Sequence, residues 1–274
     1  MAFARWATCA ARSSGRGRHR ARGRAHGRRA INRCGASLDS PTVSTPIVAL
    51  DVPTLARARE IVSALGTSCA WYKVGLQLFT AEGPRVVAWL REQGKHVFLD
   101  LKLHDIPTTV RGAAASATTH GASLLTVHAS GGVAMLAAAV EGAGVQDGSG
   151  CGILAVTVLT SLTAEQLGEG WGRPIGSIEA EVLRLAGAAR AAGTHGIVCS
   201  GREAGAVTSA HGSALRVLVP GVRAGGDPVG DQARVATPEE AARAGAAYVV
   251  LGRMVTAAAN PVAAFDAAAR ALAG

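Results

Sequence analysis

The chain has 274 residues, 49% of them hydrophobic and 17% charged, with a formal net charge of +9. That is a globular composition with room for one large domain or two small ones, and no stretch approaches the ~20 uninterrupted apolar residues of a membrane span. The five cysteines (Cys9, Cys34, Cys69, Cys151, Cys199) are scattered and never form a C-x-x-C pair, which argues against a disulfide scaffold or zinc site and for a reducing, cytoplasmic setting.

The charge is confined to one end. Residues 1–45 hold ten arginines (Arg5, Arg12, Arg16, Arg18, Arg20, Arg22, Arg24, Arg28, Arg29, Arg33) against the single acid Asp39, and the remaining chain is formally neutral. Such a head could be a nucleic-acid or membrane arm, or an Arg-rich transit segment. It lacks hydrophobic periodicity and has no aromatic after Trp6, so the expectation is a disordered basic extension, with a catalytic domain over 46–274.

From Pro46 short apolar runs alternate with helical patterns. Strands are expected at 47–52, 71–76, 96–102, 123–129, 152–159, 196–200, 215–221 and 247–252. The first helix sets Leu55, Ala58, Val62 and Leu65 on one face, and a second lies within 81–94, closed by Gly94. Further Ala-rich helices fall at about 107–119, 131–142, 178–192, 202–210 and 238–244, and a last one follows Asn260–Pro261. Thr163 with Gln166, and Thr237 with Glu240, have capping-box spacing. Eight apolar strands, each followed by a helical segment, indicate an α/β chain closed as an eight-stranded parallel (β/α)8 TIM barrel. No G-x-G-x-x-G follows the first strand, which disfavours a dinucleotide-binding sheet.

In such a barrel reactive groups stand at the C-terminal ends of the strands. The polar residues at those ends are Asp51, Lys73, Asp100, Lys102, His128, Thr160, Arg223 and Arg253. Lysine occurs only three times, at 73, 95 and 102, in a chain that otherwise uses arginine. An ammonium can give up a proton where a guanidinium cannot, so two lysines inside strand patterns point to proton chemistry. Asp100 and Lys102 are two apart and should face the same side of their strand. Asp105 lies beyond the strand, before Ile106–Pro107, where the chain turns, and is displaced from that pair; it could face a neighbouring subunit. His104 is expected to make a rim contact rather than take part in catalysis. Gly221, Gly225 and Gly226, with Arg223, Gln232 and Arg253, follow the last two strands, the usual phosphate site of this fold.

The segment "LDLKLHDIPTTV" (99–110) closely resembles the signature of the orotidine 5′-phosphate decarboxylase family, and "ALDV" (49–52), "YKVGLQLF" (72–79), "AVTVLTS" (155–161), "VPGVR" (219–223), "DQAR" (231–234) and "LGR" (251–253) match in order. The resemblance covers roughly residues 46 to 272 and excludes the head. It implies decarboxylation of orotidine 5′-phosphate without cofactor or metal, in a homodimer whose active sites are shared. It also implies roles: Lys73, Asp100, Lys102 and the second subunit's Asp105 as the charged array, with Lys102 the proton donor. Asp51 and the other subunit's Thr109 would hold the ribose, and Thr160 would read the pyrimidine edge. Arg223, Gln232, Gly252 and Arg253 would close on the phosphate. Thr108, where the pattern commonly has Asn, is the one small departure.

Three other readings compete. A sister enzyme on the same barrel would use these carboxylates to hold magnesium for a sugar-phosphate decarboxylase or aldolase reaction, which Lys73 opposes by repelling the metal. A nucleic-acid-binding protein would act through the basic head, but the neutral, aromatic-poor remainder gives it no support; neither nucleic acid nor membrane is expected as a partner. A catalytically dead barrel serving as scaffold would not need an intact charged array.

Overall fold

The computed structural model describes residues 43–144, 150–223, 234 and 236–274. The head before Val43, and Gln232 with most of the Gly-rich segment around it, lie outside the described residues.

Eight strands are present: β1 (Thr45–Ala49), β2 (Trp71–Gly75), β3 (His96–Leu103), β4 (Leu124–His128), β5 (Gly152–Val156), β6 (Gly196–Val198), β7 (Arg216–Val222) and β8 (Tyr248–Leu251). Every neighbouring pair is parallel, and β1 pairs with both β2 and β8, so the sheet closes in chain order. The unbroken apolar runs follow from two cores on opposite faces of one sheet. Ile47 and Ala49, Phe98, Leu124, Leu154, Leu218 and Val250 fill the barrel, while Val48, Val97, Leu99, Leu125 and Val249 pack outward under the helices. Full burial of each large side chain stabilises by about 1.5–3 kcal/mol.

The helices are α1 (Leu55–Leu65), α2 (Leu76–Glu82), α3 (Arg85–Glu92), α4 (Pro107–Thr119), α5 (Gly132–Gly142), α6 (Ala164–Trp171), α7 (Ile178–Ala191), α8 (Gly201–His211), α9 (Pro238–Arg243), α10 (Arg253–Thr256) and α11 (Pro261–Ala273). The capping boxes at Thr163 and Thr237 form as their spacing predicts, and a third one, Ser200 with Glu203, starts α8. None of the described helices is long and apolar enough to cross a membrane.

Three expectations are corrected. One helix was expected between β2 and β3, and there are two: α3 lies within 81–94 as expected, but α2 comes before it, starting directly after β2 and ended by Gly83, at φ 61°, before Pro84 opens α3. A left-handed residue closes one helix, and a proline at the next helix start needs no N–H partner. The strand expected at 152–159 stops at Val156, because the short β6 offers nothing beyond Val198, whose carbonyl takes both the N–H and the hydroxyl of Thr157. The first strand begins earlier than 47. The Ser44 hydroxyl donates to the Ala246 carbonyl at 2.7 Å, and the Thr45 N–H donates to the Ala247 carbonyl at 2.9 Å. β1 therefore begins one residue before the boundary drawn after residue 45, with Ser44 also bonded to the barrel.

Candidate active site

The C-terminal ends of β1, β2 and β3 bring four charges into one row. Lys73 points inward from β2 and is 8% exposed. Its Nζ donates to Asp51 Oδ1 at 2.7 Å, just past the end of β1, and lies 3.6 Å from Asp100 Oδ2. Asp100 Oδ1 in turn accepts from Lys102 Nζ at 2.7 Å. Signs alternate along the row, and the two charges at its centre, Lys73 and Asp100, are largely buried, a state tolerated only when charges are paired. Burial pushes the Asp100 carboxyl up, but Lys73, Lys102 and the hydrogen bonds from Lys102 and Thr126 together outweigh it and hold the group below the usual carboxylate range.

Asp100 and Lys102 do meet, though not by simple alternation. Leu99 is opposite Leu125 and Leu103 opposite Val127, so three residues of β3 face the single Thr126 of β4. Lys102 occupies the left-handed region at φ 49°, among the described residues the one non-glycine with positive φ. Such a conformation is costly for a residue with a Cβ and marks a bulge that re-aims a side chain. Gly75, at the end of β2, makes room for the row. A Cβ added there would stand 2.6 Å from Asp51 Oδ1 and 3.0 Å from Lys73 Nζ.

Asp105 is exposed, and its Oδ1 accepts from the Ile106 N–H at 2.6 Å. Among the described residues it pairs with neither lysine of the row. Thr109 is exposed in the first turn of α4. His104 and His128 bring their rings to 5.5 Å at the rim. Thr160 is buried in the turn after β5 rather than at a strand end. Arg223 directly follows β7, with its N–H on the Ala236 carbonyl at 3.1 Å. Gly252 caps α10, whose first residue is the exposed Arg253. The early N–H groups of a helix have no intrahelical acceptors, so this end of the barrel presents donors and a guanidinium together.

Two features went unread in the sequence. Thr126 is fully buried: its Oγ1 accepts from the Lys102 N–H at 2.9 Å and donates to Asp100 Oδ1 at 3.0 Å. Its signal was a hydroxyl in the middle of the apolar run "SLLTVHA". The second is the buried pair of Arg234 and Glu203. Arg234 Nη1 donates to Glu203 Oε1 at 2.8 Å and Nη2 to the Leu159 carbonyl at 3.1 Å, next to Thr160. Glu203 Oε2 accepts from the Ser200 N–H at 3.2 Å and from its hydroxyl. The Ser-x-x-Glu spacing could have located that glutamate, but not its arginine 31 residues away.

A decarboxylase described as "Orotidine 5′-phosphate decarboxylase" from Anaeromyxobacter dehalogenans is 53% identical over 224 residues, covering 82% of this chain and 96% of the relative. One of the same description from Moorella thermoacetica is 48% identical over 231 residues, covering 83% and 90%. The crystal structure of orotidine 5′-phosphate decarboxylase from Lactobacillus acidophilus superposes with a TM-score of 0.74 at 33% identity, covering 86% of this chain and all of that one. The family model described as orotidine 5′-phosphate decarboxylase / HUMPS matches residues 44–268, and the chain belongs to that family.

Proposed function

We propose that the row Asp51, Lys73, Asp100 and Lys102, completed by Asp105 of a second copy of the chain, performs the decarboxylation of orotidine 5′-phosphate to uridine 5′-phosphate. The activity itself is that of the named relatives, which are about half identical across nearly the whole barrel: a carboxy-lyase of pyrimidine biosynthesis.

The observation that carries the assignment of roles is the alternating row at one barrel mouth. When the bond between the orotate ring and its carboxylate breaks, carbon dioxide leaves and the electron pair stays on the ring carbon, which has no ordinary electron sink. An ammonium held beside that carbon stabilises the developing charge and then gives it a proton. Lys102 takes that role, and Asp100 and Lys73 hold it charged and aimed. Asp100 beside the substrate carboxylate also disfavours the ground state, a smaller contribution than transition-state stabilisation. Asp51, Lys73 and the second copy's Thr109 hold the ribose, and Thr160 reads the pyrimidine. Arg223, Gln232, Gly252 and Arg253 hold the phosphate, whose binding energy helps assemble the site.

No cofactor or metal enters this scheme. In the magnesium-dependent alternative the cation would be held by carboxylates where Lys73 Nζ already bridges Asp51 and Asp100. A shared site is supported by Asp105, which is exposed and, among the described residues, paired with neither lysine of its own row, and by the exposed apolar Leu76, Ile106 and Val133 on the segments after β2, β3 and β4. A cytoplasmic setting is supported by the buried free thiols of Cys69, Cys151 and Cys199. The catalytic domain is taken as residues 44–274, and the basic head stands outside it.

Mixing Lys102→Ala with Asp105→Ala under subunit exchange tests both the roles and the sharing. Each variant alone should be nearly inactive. Random pairing makes about half of the dimers mixed, each with one intact site of two, so activity should recover to about a quarter of wild type. No recovery, with exchange confirmed independently, would place Asp105 in its own subunit's site. Near wild-type activity of Lys102→Ala alone would remove that lysine from the chemistry.

A further inference from the structure

We propose that Thr126 is a positioning residue of the decarboxylation: its hydroxyl holds the β3 bulge in the one conformation that puts the Lys102 ammonium on Asp100. The argument starts from the ladder. On a regular parallel strand Asp100 and Lys102 would stand two pleats apart, about 6.6 Å along the chain. Here the register between β3 and β4 slips by two residues, and the segment 100–102 is set against Thr126 alone. In the slip the Lys102 N–H is donated to a side-chain oxygen of β4, and Lys102 itself stands at φ 49°. An N–H turned into the protein and away from water needs an acceptor, and a left-handed lysine persists only where its surroundings impose it.

Thr126 supplies both requirements with one oxygen. A lone pair of Oγ1 accepts the Lys102 N–H at 2.9 Å, and the hydroxyl proton goes to Asp100 Oδ1 at 3.0 Å. That Oδ1 is also the atom on which Lys102 Nζ rests, at 2.7 Å. The hydroxyl thus ties the backbone of the lysine to the carboxylate that its own side chain meets. Thr126 is fully buried, so no water replaces the hydroxyl if it is removed. Nothing about the residue touches the reacting atoms; it acts through Lys102 and Asp100.

The inference rests on the assignment of Lys102 and Asp100 above, and the test separates the two. Thr126→Val keeps the branched shape and removes both hydrogen bonds, and Thr126→Ser keeps both. With Thr126→Val, kcat should fall by about 10- to 100-fold, the range of a hydrogen bond to a charged group, while KM stays near wild type. The acid limb of the kcat profile should move to higher pH, because the Asp100 carboxylate loses a donor. Lys73 from β2, Lys102 from β3, His128 from β4 and Asp51 beyond Lys73 remain as the charged and titratable groups around it. Thr126→Ser should recover most of the rate and the original limb. If Thr126→Val is unfolded at the assay temperature, Thr126→Ala, which loses the same hydroxyl, is measured instead. The inference is overturned by wild-type kcat and acid limb in the hydroxyl-free variant, by a rate that falls only with the folded fraction while the limb stays put, or by a Ser variant as slow as Val. In each of those cases an inactive Lys102→Ala leaves the proposed roles standing, and an active one removes them as well.

Discussion

Gly75 is the residue at which packing and chemistry in this barrel constrain each other most tightly. Its φ of −91° suits any amino acid, so an alanine there would not strain the backbone. Its side-chain space, however, is already filled by the Asp51 carboxylate and the Lys73 ammonium, 2.6 and 3.0 Å from where a methyl would stand. Both are ends of side chains, so the protein can yield by moving the row rather than by unfolding. Gly75→Ala should therefore keep its thermal midpoint within a few degrees and lose about 100-fold in kcat/KM, as a displacement of about 1 Å in a reacting group can cost. Steady-state kinetics beside a circular-dichroism melt would decide; unaltered kinetics would show that the row tolerates the shift. The charged residues themselves were legible in the sequence, because lysines and aspartates inside apolar strands have no ordinary structural use. Gly75 was not, since a glycine at a strand end looks the same whether or not a carboxylate occupies its missing side chain.

Elements behaved as their local signals predict where those signals are chemical. The helices with hydroxyl or asparagine caps start where the cap stands, at Thr163, Thr237 and Asn260. Strand ends were less legible, because an apolar run continues through Val158 and Leu159 although the ladder has no further partner. The pair of Arg234 and Glu203 works at this scale, fixing the chain just beyond the Gly-rich segment to the start of α8 and to the carbonyl before Thr160. Glutamine caps a helix as glutamate does, so Glu203→Gln isolates the ion pair from the cap. The buried guanidinium would lose its counter-charge, a change that costs about 3–5 kcal/mol. Glu240→Gln, at the exposed capping box of α9, should be nearly neutral. Denaturant unfolding of the two variants side by side tests this; equal, small effects would mean that Arg234 finds water or another acceptor.

Two consequences belong to the molecule as a whole. The first concerns the head. Removing residues 1–42 takes away ten arginines and one acid, so the formal charge falls from +9 to zero, while Ser44 and β1 stay intact. Catalytic constants and thermal midpoint should be unchanged, and solubility is the property expected to alter. Truncation through residue 45 should destabilise, since it removes the Ser44 and Thr45 bonds to the segment before β8. Equal melts for the two truncations would show those bonds to be dispensable.

The second concerns the end of the barrel opposite the site. There Trp71 stacks on His96 with ring centroids 4.5 Å apart, and His195 Nε2 lies 3.0 Å from the Tyr248 hydroxyl. Burial, aided by the nearby Arg216, pushes His195 down to about 4. In the unfolded chain a histidine takes up its proton near pH 6.5. Between those values the unfolded state holds more protons, so stability is complete above about 6.5 and declines as pH falls towards 4, by on the order of 3 kcal/mol. Urea unfolding at pH 7.5 and pH 5 should show most of this loss, about 2 kcal/mol, and His195→Gln should reduce it. A slope unchanged by the substitution would assign the acid sensitivity to other groups.

By itself the sequence determined the barrel, the mouth at which its charges gather and the family signature. Apolar periodicity, caps and the rarity of lysine are properties of neighbours in the chain, and they survive translation into local structure. What only the tertiary structure decided was how those charges are held. The slip between β3 and β4, the left-handed Lys102, the hydroxyl of Thr126 beneath it, the side of Gly75 that the Asp51 carboxylate fills and the distant arginine on Glu203 all depend on which strand lies beside which. Residues far apart in the chain meet there at hydrogen-bond distance, and the local pattern around each of them carries no record of its partner.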